Sequence, residues 1–287
     1  MSQSFLELAC AGVQQLTPYQ PGKPVEELER ELGITNSIKL ASNENPLGPS
    51  SLALDAISNQ AASINYYPDG GGFALSKLLA DKHQVDMSSI TLGNGSNDIL
   101  ELVTRAFLTP QHSAVFSEHS FAVYPIVVQE VGAKANVAKA FPETHDSMPL
   151  GHDPDALLKQ IDESTRFVFI ANPNNPTGTW LSPDTLENLF NKVPENVIIV
   201  LDLAYTEYMD EAVKPPITQW LKKFPNLLIT QTFSKVYALA GLRIGYSVSN
   251  PEIADILNRV RQPFNTNMLA QSAAIASLAD EEHVARS

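Results

Sequence analysis

The sequence is poor in the residues that staple or anchor a chain. One cysteine, Cys10, stands among 287 residues. It can form no intrachain disulfide and no cysteine-based metal site, and a lone thiol fits a reducing cytosol. The six histidines show no metal-ligand spacing, so no metal site is expected. Positive charge is scarce too: 19 Lys and Arg face 32 Asp and Glu, a formal net charge of −13. Nucleic-acid binders carry a positive footprint, so no nucleic-acid partner is expected. A small phosphorylated ligand held by one or two local cations stays compatible with that charge. No apolar run has the length to span a bilayer, so no membrane partner is expected. Phe5–Cys10 looks only faintly like a processing site. It lacks a basic leader and carries Glu7, and an amphipathic first helix accounts for it better.

What is present suits a folded enzyme. A hydrophobic content of 44% supports one large domain with extra pieces, and ordinary Gly, Pro and charge contents exclude wholesale disorder. Residues 1–45 read as an N-terminal arm with turn-rich stretches at Thr17–Pro24 and Asn43–Pro49. Beyond it, helical patterns near 52–60, 73–84, 97–108, 121–131, 153–160 and 182–190 alternate with short apolar runs. Those runs are Ile90–Leu92, Ala114–Phe116, Lys134–Val137, Phe167–Ile170, Val197–Leu201, Leu227–Thr230 and Ile244–Val248. The alternation predicts an α/β architecture with a largely parallel sheet covered on both faces. Near the end, Pro251–Arg261 reads as a helix, Pro263–Asn265 breaks it, and Met268–Leu278 starts another that runs into Asp280-Glu281-Glu282. Its apolar face needs a cover: the main domain, a partner or further chain.

Four stretches carry chemistry. Gly93-Asn94-Gly95-Ser96-Asn97-Asp98 follows a strand and opens a helix, where backbone amides and small residues suit an anion. Asp98 stands where a dinucleotide fingerprint needs its third glycine, and no Gly-Lys-Ser/Thr ending follows; a plain helix-capping turn explains the same residues. Asn172-Pro173-Asn174-Asn175-Pro176-Thr177-Gly178 is a rigid loop at the C-terminal end of a strand, the edge where open α/β sheets place ligands. Asp202 ends the next apolar strand, with Tyr205 three residues on; a helix cap is the commoner use of such an Asp. Thr232-Phe233-Ser234-Lys235 follows a strand, with Arg243 eight residues beyond the lysine. Such a lysine is commonly a solvated surface group. The hydroxyls and the cation beside it suit a phosphate, and a neighbouring cation lowers a lysine pKa toward the nucleophilic range.

Taken in order, these motifs resemble the fold-type I aminotransferases that use pyridoxal 5′-phosphate (PLP). Ala41–Pro49, Tyr66–Gly70, Ala238–Tyr246 and Arg261–Asn265 narrow the resemblance to the histidinol-phosphate aminotransferase family, from about Tyr19 to the last residue. The resemblance implies a seven-stranded sheet in a large PLP-binding domain (46–264). An incomplete small domain would be formed by the N-terminal arm (1–45) and the C-terminal segment (265–287). It implies that Lys235 is the Schiff-base lysine and moves a proton once freed, and that Asp202 pairs with the pyridine nitrogen. Tyr205, assisted by Asn175, would bond the ring oxygen. Gly95, Ser96, Asn97, Thr232, Ser234 and Arg243 would hold the phosphate, and Phe121 would stack on the ring. Tyr67 would reach the cofactor phosphate of a neighbouring subunit in a homodimer, and Tyr19 and Asn43 would meet substrate. The implied reaction is transamination of L-histidinol phosphate with 2-oxoglutarate, giving imidazole acetol phosphate and glutamate in cytoplasmic histidine biosynthesis. A PLP-dependent decarboxylase of phosphorylated amino acids and a non-catalytic PLP-binding fragment remain open beside it.

The sequence departs from that family twice. Leu203 stands where the family carries Glu, and strand alternation turns it away from its neighbours' side. Family members also continue past residue 287, into a segment bearing an arginine for the anionic end of the substrate. The expectation is a PLP site that is kept and transaminase activity that is weak or lost.

Overall fold

The computed structural model describes residues 4–20 and 22–287. Met1–Gln3 and Pro21, which belong to the expected arm and its turn-rich stretch, lie outside the described residues. The strands are β1 (Ile90–Gly93), β2 (Ser113–Ser117), β3 (Lys134–Ala138), β4 (Thr165–Ala171), β5 (Ile198–Asp202), β6 (Leu227–Thr232) and β7 (Gly245–Ser249). Each falls within two residues of an expected apolar run. They form one sheet in the order β1-β7-β6-β5-β4-β2-β3. Among the described residues β7 alone runs antiparallel to its neighbours. Strands β4, β5 and β6 are buried almost throughout, without alternation, because helices cover both of their faces.

The arm carries α1 (Phe5–Leu8), α2 (Ala11–Gln14) and α3 (Val25–Leu32). After it come α4 (Ser51–Gln60), α5 (Phe73–His83), α6 (Ser96–Phe107), α7 (Val123–Glu130), α8 (Pro154–Lys159) and α9 (Pro183–Phe190). The last are α10 (Ile217–Lys223), α11 (Pro251–Val260), α12 (Met268–Leu278) and α13 (Glu281–Arg286). Their starts are written locally: Ser50, Asp153, Ser182, Asn250 and Asn267 each accept a hydrogen bond from a first-turn amide, and Pro opens α8, α9 and α11. Helix α10 was not expected. It is one short segment behind Pro215-Pro216, held by Trp220, which is buried between Phe190 and other apolar side chains.

Helices α6, α7 and α11 cover one face of the sheet, and α8, α9 and α10 the other. A third apolar cluster lies at the β1–β7 end. There the apolar face of α12 finds its cover on the main body: Ala270, Ala273 and Ala274 pack with Ala53 of α4 and with Leu75 and Leu79 of α5. Small residues let the helices approach closely. The acidic run 280–282 begins α13 instead of ending α12, because the Asp280 side chain accepts the His283 amide.

Strand register builds the edge that matters. Ala171, Asp202 and Thr230 lie abreast on β4, β5 and β6. Gly93, Gly245 and Thr232 lie abreast on β1, β7 and β6. A Cβ on Gly245 would sit 2.5 Å from the Ser96 amide nitrogen, so only glycine lets β7 pass beneath the start of α6.

Candidate active site

A cavity of about 530 Å³ opens at this edge. Its walls bring together residues that are far apart in sequence: Ser96 and Asn97, Phe121, Asn175, Asp202 and Tyr205, Thr232, Ser234 and Lys235, and Arg243. The N-terminal arm closes it with Tyr19, Gly22 and residues 41–44. Two expected residues stand apart from the lining. Gly95 lies behind the wall, and Tyr67 is exposed and stacks on Phe264 with ring centroids 4.7 Å apart.

Asp202 is the deepest group. Its Oδ2 accepts the Tyr124 hydroxyl at 3.1 Å, and its Oδ1 accepts that of Thr230 at 3.3 Å. Burial pushes its carboxyl up to about 6, against the pull of those two hydrogen bonds, the Ala204 amide and the Lys235 charge. A cationic group facing it would reverse that shift. Tyr124 itself is fully buried, stacked on Phe169 and edge-on to Phe121. The sequence reading missed Tyr124 and Thr230. The signal for Tyr124 was a second aromatic three residues after Phe121, within the helical pattern expected at 121–131.

Lys235 Nζ donates to the Ser42 carbonyl at 3.1 Å and lies 5.5 Å from the centre of the Tyr205 ring. Its pKa is lowered, chiefly by burial. Glu44 works against this, Arg243 adds to it and Asp202 opposes it. Burial, more than the expected cation, thus brings the amine toward its nucleophilic form. Tyr205 accepts a hydrogen bond from Asn43 Nδ2 at 3.0 Å, while burial raises its pKa. Leu203 points the other way and is fully buried among apolar side chains, as alternation required.

The three asparagines of the Asn-Pro loop divide their work. Asn172 bonds both the amide and the carbonyl of Leu181, at 2.7 and 3.2 Å. Asn174 donates to the His119 carbonyl at 2.7 Å and to Thr177 at 2.8 Å. Both are buried and hold the loop, which contains two cis Asn-Pro bonds, and Asn175 is left to face the cavity.

On the opposite side Gly95 precedes α6 as its N-cap, with φ 84° and ψ 166° and no side-chain cap, so the amides of the first turn stay available to an anion. A Cβ on Gly95 would meet Arg243 Nη2 at 2.5 Å. Thr232 donates to Ser234 at 3.0 Å, which gathers the two hydroxyls on the same wall. This donor set fits the phosphate of PLP. Asp202 and Lys235 fit its ring nitrogen and its aldehyde. Among the described residues no His/Cys/Asp/Glu cluster could hold a metal ion.

An uncapped helix start, a buried carboxylate and a half-buried lysine at the C-terminal edge of one sheet define a cofactor-dependent α/β enzyme. The family model for aminotransferase class I and II matches residues 35–287. Histidinol-phosphate aminotransferase 2 of Pseudomonas fluorescens is 56% identical over all of this chain and 76% of its own length. Histidinol-phosphate aminotransferase 1 of Nitrosococcus oceani is 53% identical over 99% of this chain and 75% of its own. The crystal structure of the Sinorhizobium meliloti histidinol-phosphate aminotransferase in complex with PLP superposes with a TM-score of 0.86 at 29% identity. That match spans 96% of this chain and 72% of the other. The chain belongs to the class I and II aminotransferases, within the histidinol-phosphate aminotransferase group.

Proposed function

We propose that this protein is a PLP-dependent aminotransferase that moves the amino group of L-histidinol phosphate to 2-oxoglutarate, in histidine biosynthesis. The observation that carries this reading is the convergence of Asp202, Tyr205 and Lys235 on one cavity facing the uncapped start of α6. PLP, when bound, supplies an electron sink for the carbanion formed at the substrate Cα. The residues of this chain do the rest. Asp202 would keep a proton on the ring nitrogen, and Tyr205 and Asn175 would bond the ring oxygen. Phe121 would cover the ring. Gly95, Ser96, Asn97, Thr232, Ser234 and Arg243 would hold the phosphate. Lys235 would hold the aldehyde end and, as a free amine, would move the proton from the substrate Cα. Tyr19 and Asn43 line the mouth of the cavity, where substrate enters.

The enzyme acts in the cytoplasm as a homodimer in which Tyr67 serves the neighbouring site. Two features support this part of the reading. Tyr67 is 80% exposed, and Tyr66 and Phe73 are exposed as well. The named relatives are histidinol-phosphate aminotransferases.

The test is product analysis of purified protein given PLP, histidinol phosphate and 2-oxoglutarate. Glutamate formation that Lys235→Ala abolishes supports the reading. Carbon dioxide release without glutamate, when a phosphorylated amino acid is supplied in place of histidinol phosphate, points to a decarboxylase. A wild-type protein that lacks the borohydride-sensitive absorbance of lysine-bound PLP overturns it.

A further inference from the structure

Asp98 occupies the third position of α6, and its side chain turns back across the loop that precedes the helix. Oδ2 accepts the Asn94 amide at 2.8 Å. The same oxygen accepts Asn265 Nδ2 at 2.7 Å. Asn265 is fixed in turn: Nδ2 also donates to the Leu92 carbonyl at 3.0 Å, and Oδ1 accepts Arg261 Nη1 at 2.8 Å. Arg261 is anchored on one further segment, through Nη1 to the Gly70 carbonyl, and on its own helix, through Nε to Asn258 Oδ1, each at 3.0 Å. Phe264, beside Asn265, adopts φ 57° and stacks on Tyr67.

None of Asp98, Asn265 and Arg261 lines the cavity, yet they clamp the short loop from which Gly95 and the first amides of α6 rise. A carboxylate this close to an anion site needs donors that stabilise it and fix where it points, and Asn94 and Asn265 are those donors. We propose that Asn265 is a positioning residue for the phosphate cradle: with Arg261 behind it, it holds the Asp98 carboxylate on the Asn94 amide and so sets the loop at the start of α6 for the cofactor phosphate. The proposal rests on the reading of the cavity as a PLP site. It adds that the break after α11 reaches the cofactor through Asp98 and not by touching it.

The test compares PLP with pyridoxal, which has the aldehyde and ring but no phosphate. Dissociation constants of both are measured for the wild-type protein and for Asn265→Ala, with the 31P resonance of bound PLP. A weakened hydrogen bond to a charged group predicts about tenfold weaker PLP binding, unchanged pyridoxal binding and a moved 31P resonance in the variant. Asn265→Asp keeps the shape and the Arg261 contact but replaces the Nδ2 donor by oxygen. It gives the same selective loss if Asn265→Ala does not fold. Equal losses for PLP and pyridoxal, or no loss for either, overturn the positioning role while leaving the PLP site standing. A wild-type protein that binds neither compound overturns the functional reading and this inference with it.

Discussion

The Tyr124 hydroxyl donates to Asp202 Oδ2 at 3.1 Å; both residues are buried, Asp202 lining the cavity and Tyr124 behind that lining. The contact joins α7 to the end of β5 across 78 residues of sequence. It fixes the direction in which the carboxylate presents itself and stabilises its charged form.

Tyr124→Phe removes that donor and leaves the ring packing in place. A hydrogen bond to a charged group is worth about 1.5–3 kcal/mol, so PLP affinity is expected to fall by roughly tenfold or more. Titration of apoprotein with PLP checks this. An unchanged dissociation constant would show that Thr230 and the Ala204 amide suffice to orient Asp202.

Asp202 sets a pH dependence of the apoprotein. Its folded-state pKa is raised from 3.8 to about 6 by burial. Between those values the folded state keeps a proton that the unfolded state releases, so stability falls as pH rises through this window and is level above it. The cost at neutral pH is on the order of 3 kcal/mol. Asp202→Asn is expected to remove this slope between pH 4 and 6, measured as denaturant midpoints. Identical slopes in variant and wild type would refute the assignment.

Gly245→Ala tests the close pass of β7 beneath α6. The added Cβ meets backbone at 2.5 Å, at the Ser96 nitrogen, and no rotamer can relieve it. Overpacking of this kind costs about 1–3 kcal/mol. Both thermal stability and PLP affinity are expected to drop, because the strand can yield only by displacing the cradle. Loss of stability with intact PLP affinity would show that the helix start tolerates the shift.

Asn172→Ala and Asn175→Ala should separate scaffold from site. Asn172 is buried and bonds both polar groups of Leu181, so its loss is expected to cost about 2 kcal/mol of stability. Asn175 lines the cavity, and its loss should leave the melting midpoint nearly unchanged while weakening PLP binding. A common effect of the two variants on stability would mean that the loop works as one unit.

The sequence by itself determined the order of elements, the parallel sheet and most of the groups around the cavity. Apolar runs, caps and Pro-Gly punctuation are local signals, and the backbone obeys them within a few residues. Hence β4, β5 and β6 were legible, and with them Asp202 and Lys235 at their ends. Other features needed tertiary structure. Helix α10 is too short to declare itself and exists because Trp220 has a pocket to fill. Tyr124, Thr230 and Ser42 reach the site through register and chain closure, which no neighbouring residue encodes. The tertiary structure also decided why the Lys235 amine is activated. Proximity to Arg243 could be inferred from spacing, but burial, the larger effect, arises only when the N-terminal arm folds across the sheet edge.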